Sequence, residues 1–209
     1  MIDIQHIYKQ FGGKQLFSDF SLQIEDGEFV MLTGESGCGK TTLLNMIGSL
    51  EPIDQGEILV NGLNVSKRKH QRQFLQKTTG FLFQNFGLVE HKTVRENLDL
   101  VQKSCRSGIS AAEALEKVGL EKSINQPVYS LSGGEQQRVA LARLMYKQCS
   151  IVLADEPTGS LDARNTELVM YHLTALHKSG KTIVMVTHNL SLTSFASRTI
   201  VLQMTNTDR

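Results

Sequence analysis

"GESGCGKTT", residues 34–42, decides how the rest of this sequence folds. The stretch fits the pattern G-x-x-x-x-G-K-[ST] through Gly34, Gly39, Lys40 and Thr41. A strand pattern, "EFVML", precedes it, and a helical pattern, "TTLLNMIG", follows it. A glycine loop between a strand and a helix points backbone N–H groups at phosphate oxygens, and glycines let the chain wrap closely around them. A glycine-rich turn with a chance lysine is the alternative, but the spacing and both flanking elements favour a phosphate-binding loop.

Different side chains of this loop have different expected roles. Lys40 is expected to neutralise the β- and γ-phosphates of a nucleotide, and Thr41 to offer its hydroxyl to Mg²⁺. Cys38 also lies in the loop, but charge disfavours a thiolate beside phosphates, so we interpret it as a small filler and not as a catalytic thiol. The residues expected to surround the nucleotide are Gly34, Glu35, Ser36, Gly37, Cys38, Gly39, Lys40, Thr41 and Thr42.

Two adjacent carboxylates end a second apolar strand pattern. In "SIVLADEP", four apolar residues lead directly into Asp155 and Glu156. Ligand sites in α/β folds lie at the carboxyl ends of parallel strands, which places this pair beside the phosphate loop. Two carboxylates repel a polyphosphate unless a cation intervenes, so the pair implies Mg²⁺, held by Asp155 through water. Glu156 is then free to polarise an attacking water as general base. A solvated acidic turn is the alternative.

Two further polar residues follow strand patterns at the same predicted sheet edge. His188 ends "KTIVMVTH", and Gln84 ends "TGFLFQ". A lone histidine is more often structural, but the position of His188 favours contact with a γ-phosphate. The Gln84 amide can reach a metal ion or a water. We therefore predict a catalytic group of Glu156, His188 and Gln84, and metal ligands from Thr41, Gln84 and Asp155.

A helix start with two glycines lies in "LSGGEQQR", residues 131–138. Ser132 and Glu135 have the spacing of a capping box, which satisfies the free backbone N–H groups of a helix N-terminus. Gly133 and Gly134 fall in the first turn, where each costs about 1 kcal/mol relative to alanine. The capping box does not require them. The glycine pair therefore predicts that another group approaches this backbone closely.

The order and spacing of these motifs resemble the ATP-binding cassette family. The matching stretches are "GESGCGKTT", "LFQ", "LSGGEQQR", "LADEP", "GSLD" and "VTH", and together they span nearly the whole chain. Within the family, "LADEPTGSLD" with "LSGGEQQRVALAR" is most similar to the ATPases of macrolide-exporter and lipoprotein-release systems. The stretch "FQNFGLVEHKTVRENL" is similar to the related bacteriocin-export (lactococcin) group.

The resemblance implies an ATPase with ATP and Mg²⁺ as cofactors, active as a dimer of two copies of this chain. It implies that Ser132, Gly133 and Gly134 meet the γ-phosphate of an ATP held by the second copy, which would account for the glycine pair. It also implies that Phe11 stacks on adenine, where the family commonly has tyrosine. Glu135 departs from the commoner glutamine, and its capping role makes that change chemically sensible.

The second partner that the resemblance implies is an integral membrane permease. The chain would work at the cytoplasmic face of the membrane, driving export of a peptide, bacteriocin, drug or lipophilic substrate. A non-transport ATPase that transmits force or a signal through a permease-like protein is the alternative. The resemblance places Asp162 at the dimer interface and gives Gln84 a role in coupling. Three apolar residues that we expect to be exposed, Phe86, Leu88 and Val89, suit a docking groove for a permease helix.

The implied fold is α/β, with a P-loop NTPase (RecA-like) core, an N-terminal antiparallel β portion and an inserted helical subdomain. The residue patterns agree, because short connections join the early strand patterns "IDIQHIY" and "FSLQIE". Only helical patterns occur from about residue 85 to residue 148. We predict one nucleotide-binding domain over residues 1–209, with a core at 1–84 and 150–209 and a helical subdomain at 85–149.

Composition argues against two other classes of partner. The 209 residues include 22 Lys and Arg against 21 Asp and Glu, and the net charge of +1 gives no field that attracts nucleic acid or anionic lipid. Apolar runs such as "IVLA" and "IVMV" are far shorter than the ~20 residues that span a bilayer, so we expect no direct membrane insertion. Three scattered cysteines, Cys38, Cys105 and Cys149, indicate reduced thiols in the cytosol.

Overall fold

The computed structural model describes residues 1–159 and 161–203 of the chain. Its strands, in chain order, are β1 (Ile2–Phe11), β2 (Lys14–Ile24), β3 (Phe29–Gly34), β4 (Gln55–Val60), β5 (Leu63–Asn64), β6 (Thr79–Leu82), β7 (Ile151–Asp155), β8 (Thr182–Val186) and β9 (Arg198–Leu202). Its α-helices are α1 (Lys40–Ile47), α2 (Arg68–Lys77), α3 (Val94–Asp99), α4 (Ala111–Glu116), α5 (Gly133–Tyr146) and α6 (Ala163–Lys178). Short 3₁₀ helices span Lys103–Cys105, Glu121–Ser123, Val128–Ser130 and Leu190–Phe195.

The first sheet is antiparallel and has the strand order β2-β1-β4-β5. One of its faces covers the core, so β1 buries Ile2, Ile4 and Ile7 with more exposed residues between them. Ile2 lies opposite Ile24 of β2 and Val60 of β4, and such apolar cross-strand pairs stabilise the register. The predicted N-terminal antiparallel portion is confirmed.

The second sheet is parallel and has the strand order β6-β7-β8-β3-β9. Its central strands, β3, β7 and β8, are buried over nearly their whole length, as expected for parallel strands that are covered on both faces. Because all five strands run the same way, their carboxyl ends meet at one edge. The motifs that follow β3, β6, β7 and β8 in the sequence are brought together there.

Side chains alternate between the two faces of the parallel sheet and form two apolar clusters. Phe29 and Met31 of β3 pack in one cluster with residues of α3, α4, α5 and α6. Val30 and Leu32 of the same strand pack in the other cluster with α1 and the antiparallel sheet. The parallel sheet is therefore a shared wall between a helical layer and a β layer. Among the described residues, no helix has both the length and the apolar character needed to cross a membrane.

Helices alone form the ordered elements between β6 and β7, and each α-helix there begins with a capping box. The pairs are Thr93–Glu96, Ser110–Glu113 and Ser132–Glu135. The backbone N–H of each N-cap residue donates to the glutamate, which lowers the pKa of that carboxyl below its ordinary value. Both α3 and α4 are short, with six residues each. Gly119 ends the α4 segment in the left-handed region, and Leu120 N donates to Leu115 O across it.

Candidate active site

A cleft of about 780 Å³ lies at the edge where the parallel strands end. Its walls come from the loop after β3 and from the segments that follow β6, β7 and β8. The predicted site residues that line it are Ser36, Gly37, Gly39, Lys40, Thr41, Thr42, Gln84, Glu156 and His188. The structure therefore brings together residues from four separate sequence motifs, as expected for the carboxyl edge of a parallel sheet.

The loop between β3 and α1 has a backbone conformation that requires glycine at two positions. Gly39 is the N-cap of α1 with a φ of 98°, and a Cβ there would lie 2.9 Å from the Phe17 ring. Gly34 has a φ of 139°, and a Cβ there would collide with the carbonyl oxygen of Leu202. Among the residues that the structure describes, no side chain caps the N-terminus of α1. Its first N–H groups are thus free for an anionic ligand.

Lys40 is held inside this loop with its charge directed at the loop backbone. The side chain is 5% exposed, and Nζ donates to the carbonyls of Gly34 at 2.9 Å and Glu35 at 2.7 Å. Cys38 is buried behind it, with Sγ 3.8 Å from Nζ, in agreement with a filler role. Within the described residues Lys40 forms no ion pair.

Thr41 and Asp155 form the direct contact between the loop and β7. Thr41 Oγ1 donates to Asp155 Oδ1 at 2.9 Å. Burial raises the pKa of Asp155 above its ordinary value, against the opposing effects of the Thr41 hydrogen bond and the nearby charges of His188 and Lys40. A desolvated carboxylate beside a hydroxyl is an oxygen donor set that suits Mg²⁺. No group of three or more His, Cys, Asp and Glu side chains suited to a metal occurs among the described residues.

Glu156 lines the cleft and carries one carboxylate oxygen that is buried without a hydrogen bond among the described residues. Its φ of 44° places it in the left-handed region, which is strained for a glutamate. Oε2 accepts a hydrogen bond from the backbone N–H of His188 at 3.3 Å. Oε1 lies 3.3 Å from His188 Nε2 without hydrogen-bond geometry, and it is buried with no hydrogen-bond partner among the described residues. A buried oxygen in this state is suited to accept a hydrogen bond from water.

Gln84 and His188 complete the cleft wall on either side of Glu156. Gln84 lies two residues beyond the end of β6, and its side chain is exposed in the cleft. His188 follows β8, and its side chain is 57% exposed. Both polar groups face the same space as Lys40, so they can reach a ligand whose phosphates the loop holds.

Phe11 and the start of α5 lie apart from this cleft in the single chain, whereas Gly34, Glu35, Cys38 and Asp155 are near lining residues in the sequence but do not line the cleft themselves. Phe11 ends β1, is 46% exposed, and carries the Lys9 ammonium 4.6 Å from its ring centroid. Ser132 and Gly133, at the start of α5, are exposed and line neither the cleft nor its rim. The Ser132 hydroxyl instead donates to Glu135 at 2.8 Å within the capping box.

Gly133 and Gly134 of α5 differ in the space that surrounds them. A Cβ on Gly134 would lie 2.8 Å from Asn165 Nδ2, so close packing between α5 and the start of α6 requires this glycine. A Cβ on Gly133 would meet only Phe86 Cζ, at an ordinary 3.9 Å. The expectation that both glycines serve an approaching ligand therefore omitted an internal contact, and only Gly133 has no explanation within the described chain.

Several cleft residues were not predicted as site residues. They are Leu16, Thr158, Gly159, Leu161, Thr166, Thr187 and Asn189. Most follow β7 or β8 directly, so their position after the predicted strand ends was the available indication. Ser160 of "GSLD" lies outside the described residues.

The family model described as "ABC transporter" matches residues 17–159. This match covers more than half of the 209 residues, and the chain belongs to the ABC transporter family.

Individual relatives agree over nearly the full length. An uncharacterized ABC transporter ATP-binding protein of Methanocaldococcus jannaschii is 40% identical over 97% of this chain and 96% of its own length. The lipoprotein-releasing system ATP-binding protein LolD of Bacteroides fragilis is 38% identical over 96% of each chain. The macrolide export ATP-binding/permease protein MacB of Chlorobium phaeobacteroides is 42% identical over 88% of this chain, a match that covers 29% of that longer protein.

A solved structure agrees with the fold. The ATP-binding cassette MJ0796, in a dimeric post-hydrolysis state bound to ADP and Pi, has a TM-score of 0.87 and 34% identity over 97% of this chain and 94% of that chain. The predicted family and the α/β P-loop NTPase fold are confirmed. The chain is an ABC transporter ATPase subunit, an ATP-hydrolysing enzyme with ATP and Mg²⁺ as cofactors.

Proposed function

We propose that two copies of this chain assemble head to tail around two ATP–Mg²⁺ and drive a separate membrane permease. The observation that carries the proposal is the convergence of Lys40, Thr41, Gln84, Glu156 and His188 on one cleft. These side chains supply a cation, a hydroxyl, an amide, a carboxylate and an imidazole. Hydrolysis of a bound polyphosphate needs these groups together.

Nucleotide binding uses the loop between β3 and α1. Lys40 exchanges its two loop carbonyls for phosphate oxygens, and the uncapped N–H groups of α1 donate to the same phosphates. Thr41 and Asp155 hold Mg²⁺, which when bound neutralises charge that develops on the phosphate oxygens. Phe11 stacks on the adenine ring. The remaining loop residues that surround the phosphates are Gly34, Glu35, Ser36, Gly37, Cys38, Gly39 and Thr42.

Hydrolysis uses the carboxylate after β7. Glu156 Oε1 orients a water and accepts its proton as the water oxygen bonds to the γ-phosphorus and the bond to ADP breaks. The His188 backbone N–H fixes the other carboxylate oxygen, and the exposed imidazole contacts the γ-phosphate. Gln84 contacts the water or the metal ion from the opposite wall. Each group thus acts from the position that its strand end gives it.

The start of α5 completes the site of the second copy. Ser132 and Gly133 are exposed at a capped helix N-terminus, which favours a negatively charged ligand. The first chain offers them no phosphate, because they lie outside its cleft. A dimeric cassette of the same fold supports an assembly in which the other copy's γ-phosphate lies here. Asp162, the N-cap of α6, lies at the interface in this arrangement.

The permease docks on a groove between α2, α3 and α5. The groove has a volume of about 310 Å³ and contains Leu100, which is 51% exposed, above Arg143 and Lys147. Both cationic side chains already donate to backbone carbonyls within the chain, so the exposed apolar side chain of Leu100 is what the groove offers to a permease helix. The sequence predicts docking on exposed side chains of Phe86, Leu88 and Val89, but Phe86 and Leu88 are half-buried against the core. That expectation of exposure is wrong for these two, and holds for Val89 alone at 42%.

The same proposal assigns location, substrate class and domain limits. The permease holds the chain at the cytoplasmic face of the membrane. Names of relatives such as LolD and MacB support export of a peptide, drug or lipophilic substrate. The chain acts as one nucleotide-binding domain over residues 1–209, with a core at 1–84 and 150–209 and a helical subdomain at 85–149.

The experiment that tests this function is the substitution Glu156→Gln. The amide keeps the size of the side chain but cannot accept a proton, so we expect ATP hydrolysis to fall roughly 100- to 10,000-fold. ATP affinity should remain near that of the wild type, and the ATP-bound dimer should persist longer on size-exclusion chromatography. Glu167→Gln, which changes an exposed carboxylate outside the cleft, is the matched control. Near-normal hydrolysis by Glu156→Gln would remove Glu156 from the role of base.

A further inference from the structure

A buried glutamine joins α5 to the segment that carries the general base. Gln137 is 1% exposed, and its Nε2 donates to the carbonyl of Pro157 at 2.6 Å. Pro157 directly follows Glu156 in the chain. One hydrogen bond thus fixes the second turn of α5 to the residue adjacent to the base.

A second connection joins α5 to the start of α6. Arg138 Nη1 donates to Asn165 Oδ1 at 2.6 Å. Asn165 Nδ2 donates to both carboxylate oxygens of Asp162 at 3.0 Å, and its backbone N–H donates to Oδ1 at 2.7 Å. The Asn165 side chain also fills the space that a Cβ on Gly134 would need. We call Gln137, Arg138 and Asn165 the α5 link.

Packing alone does not explain the chemistry of the α5 link. Gln137 Oε1 and Arg138 Nε are buried without a hydrogen-bond partner among the described residues. Each such atom loses its hydration and costs free energy, so an apolar side chain of similar volume would give a more stable contact. The polar groups that are satisfied in the link are those that reach the Pro157 carbonyl and Asn165. The link therefore retains directional contacts at a cost in stability.

The ends of the α5 link belong to two different ATP sites. Ser132 and Gly133, one turn before Gln137, meet the ATP of the partner copy, a step that rests on the proposed function. Glu156, one residue before Pro157, acts on the ATP held by its own chain. A displacement of α5 by one ATP must therefore move the backbone next to the base of the other site.

We propose that the α5 link makes hydrolysis cooperative, by aligning Glu156 of one site only when α5 is seated on the nucleotide of the other. Gln137 positions Glu156 through the Pro157 carbonyl, and Arg138 and Asn165 hold α5 against the start of α6, so all three are positioning residues. Coupling that passes through defined contacts is lost when those contacts are removed, even if both ligands still bind.

Steady-state ATP hydrolysis against ATP concentration tests the link in the full-length chain. Gln137→Met removes the donor but keeps the volume, and Asn165→Ala removes the acceptor for Arg138. Gln136→Met is the matched control, because Gln136 Nε2 donates to Leu131 O just before α5. Each protein is also measured for ATP affinity and thermal stability, and for ATP-dependent dimerisation in the Glu156→Gln background.

We expect a Hill coefficient between one and two for the wild type and the control, with two sites as the upper limit. In both link variants it should fall to about one and turnover should fall roughly 10-fold, while ATP affinity and dimerisation are retained. A purely structural role would lower the melting temperature and leave the Hill coefficient at the wild-type value, which would overturn the proposal. Should Gln137→Met fail to fold, Asn165→Ala decides the question, because Asn165 is only half-buried.

The outcomes separate the link from the function on which it rests. A wild-type chain that hydrolyses ATP as a dimer without cooperativity overturns the link and leaves the function intact. A wild-type chain that neither dimerises nor hydrolyses ATP contradicts the proposed function itself.

Discussion

The strand-end cleft and the start of α5 differ in how many of their polar side chains form contacts within a single chain. In the cleft, Lys40, Thr41, Asp155 and Glu156 come from two separate motifs and contact one another or the backbone around them. At the start of α5, the Ser132 side chain forms hydrogen bonds within its own capping box and, among the described residues, with no other group. The cleft residues are therefore held by contacts within one chain, whereas Ser132 and Gly133 face outward.

The two adjacent glycines of α5 differ in the same way, because one packs closely against its own chain and the other is exposed. Gly134 is required by the Asn165 side chain of its own chain. Gly133 is exposed, and nothing in the described chain excludes a side chain there. The described chain thus accounts for one glycine by an internal contact, and the proposed approach of the second copy's ATP would account for the other.

The largest expected effect is the loss of nucleotide binding in Lys40→Met. Removing the ammonium leaves the loop without its only side-chain cation, and the cost for a buried charged contact is on the order of 2–5 kcal/mol in binding. Ser132→Arg, at the other end of the comparison, should retain ATP binding by the monomer and lose hydrolysis. Equilibrium binding to a fluorescent ATP analogue distinguishes the two. Equal loss of monomer binding in both variants would mean that α5 already belongs to the cleft of its own chain.

A pair of alanine substitutions sharpens the comparison between the two glycines. Gly134→Ala collides with Asn165 and should lower the free energy of unfolding by about 1–3 kcal/mol. Gly133→Ala meets no collision and should raise it by up to about 1 kcal/mol through helix propensity, while it slows hydrolysis. Urea denaturation and steady-state turnover measure both.

The double variant Gly134→Ala/Asn165→Ala is the control for this pair. It should recover most of the stability that Gly134→Ala loses, because the colliding side chain is gone. Full activity in Gly133→Ala would contradict a close approach from outside the chain.

Prediction from the sequence succeeded where spacing along the chain fixes the geometry. The loop from Gly34 to Thr41 lies between a strand and a helix, and both elements form where the patterns place them. Adjacent carboxylates after an apolar run likewise predicted the position of Asp155 and Glu156. The capping box at Ser132 is confirmed in atomic detail.

Prediction was weaker where geometry depends on packing between distant segments. Asn165 lies 27 positions from Arg138, and no local pattern links the two residues. The sequence alone therefore did not indicate that the Asn165 side chain packs against Gly134. Phe86 and Leu88 were expected to be exposed because they lie in a loop, but they pack against the helical layer. The domain limits and the roles of the site residues stay predictions.

Asp155→Asn is expected to change the free energy of unfolding by a smaller amount. Burial raises the pKa of Asp155 in the folded state above the ordinary 3.8, so the stability of the ligand-free protein falls as pH rises through that pKa. At neutral pH the asparagine should therefore raise the free energy of unfolding, by about 1 kcal/mol or less because the group is partly solvated. It should also abolish Mg²⁺-dependent hydrolysis. A destabilised ligand-free variant in thermal denaturation would contradict this account of the carboxylate.

The smallest effect concerns the three capping glutamates. The pKa of Glu135 is lowered in the folded state by the Ser132 backbone N–H, so its contribution is complete above the ordinary 4.5 and is lost as pH falls through the folded-state pKa. Glu135→Gln should reduce the loss of stability between neutral and acidic pH by a small amount. Urea unfolding at several pH values measures this. An unchanged acid dependence would show that Glu135 is already protonated or unpaired in solution.

The most direct test of a site shared between two chains is a mixture of Lys40→Ala and Ser132→Arg chains. Each pure dimer has two damaged sites, whereas a mixed dimer gathers both lesions in one site and leaves the other intact. We predict that high-affinity ATP trapping reappears in the mixture and is greatest near equal proportions. If each site were built within one chain, every chain would carry a lesion and no trapping would return. Absence of trapping in verified mixed dimers would contradict the shared site.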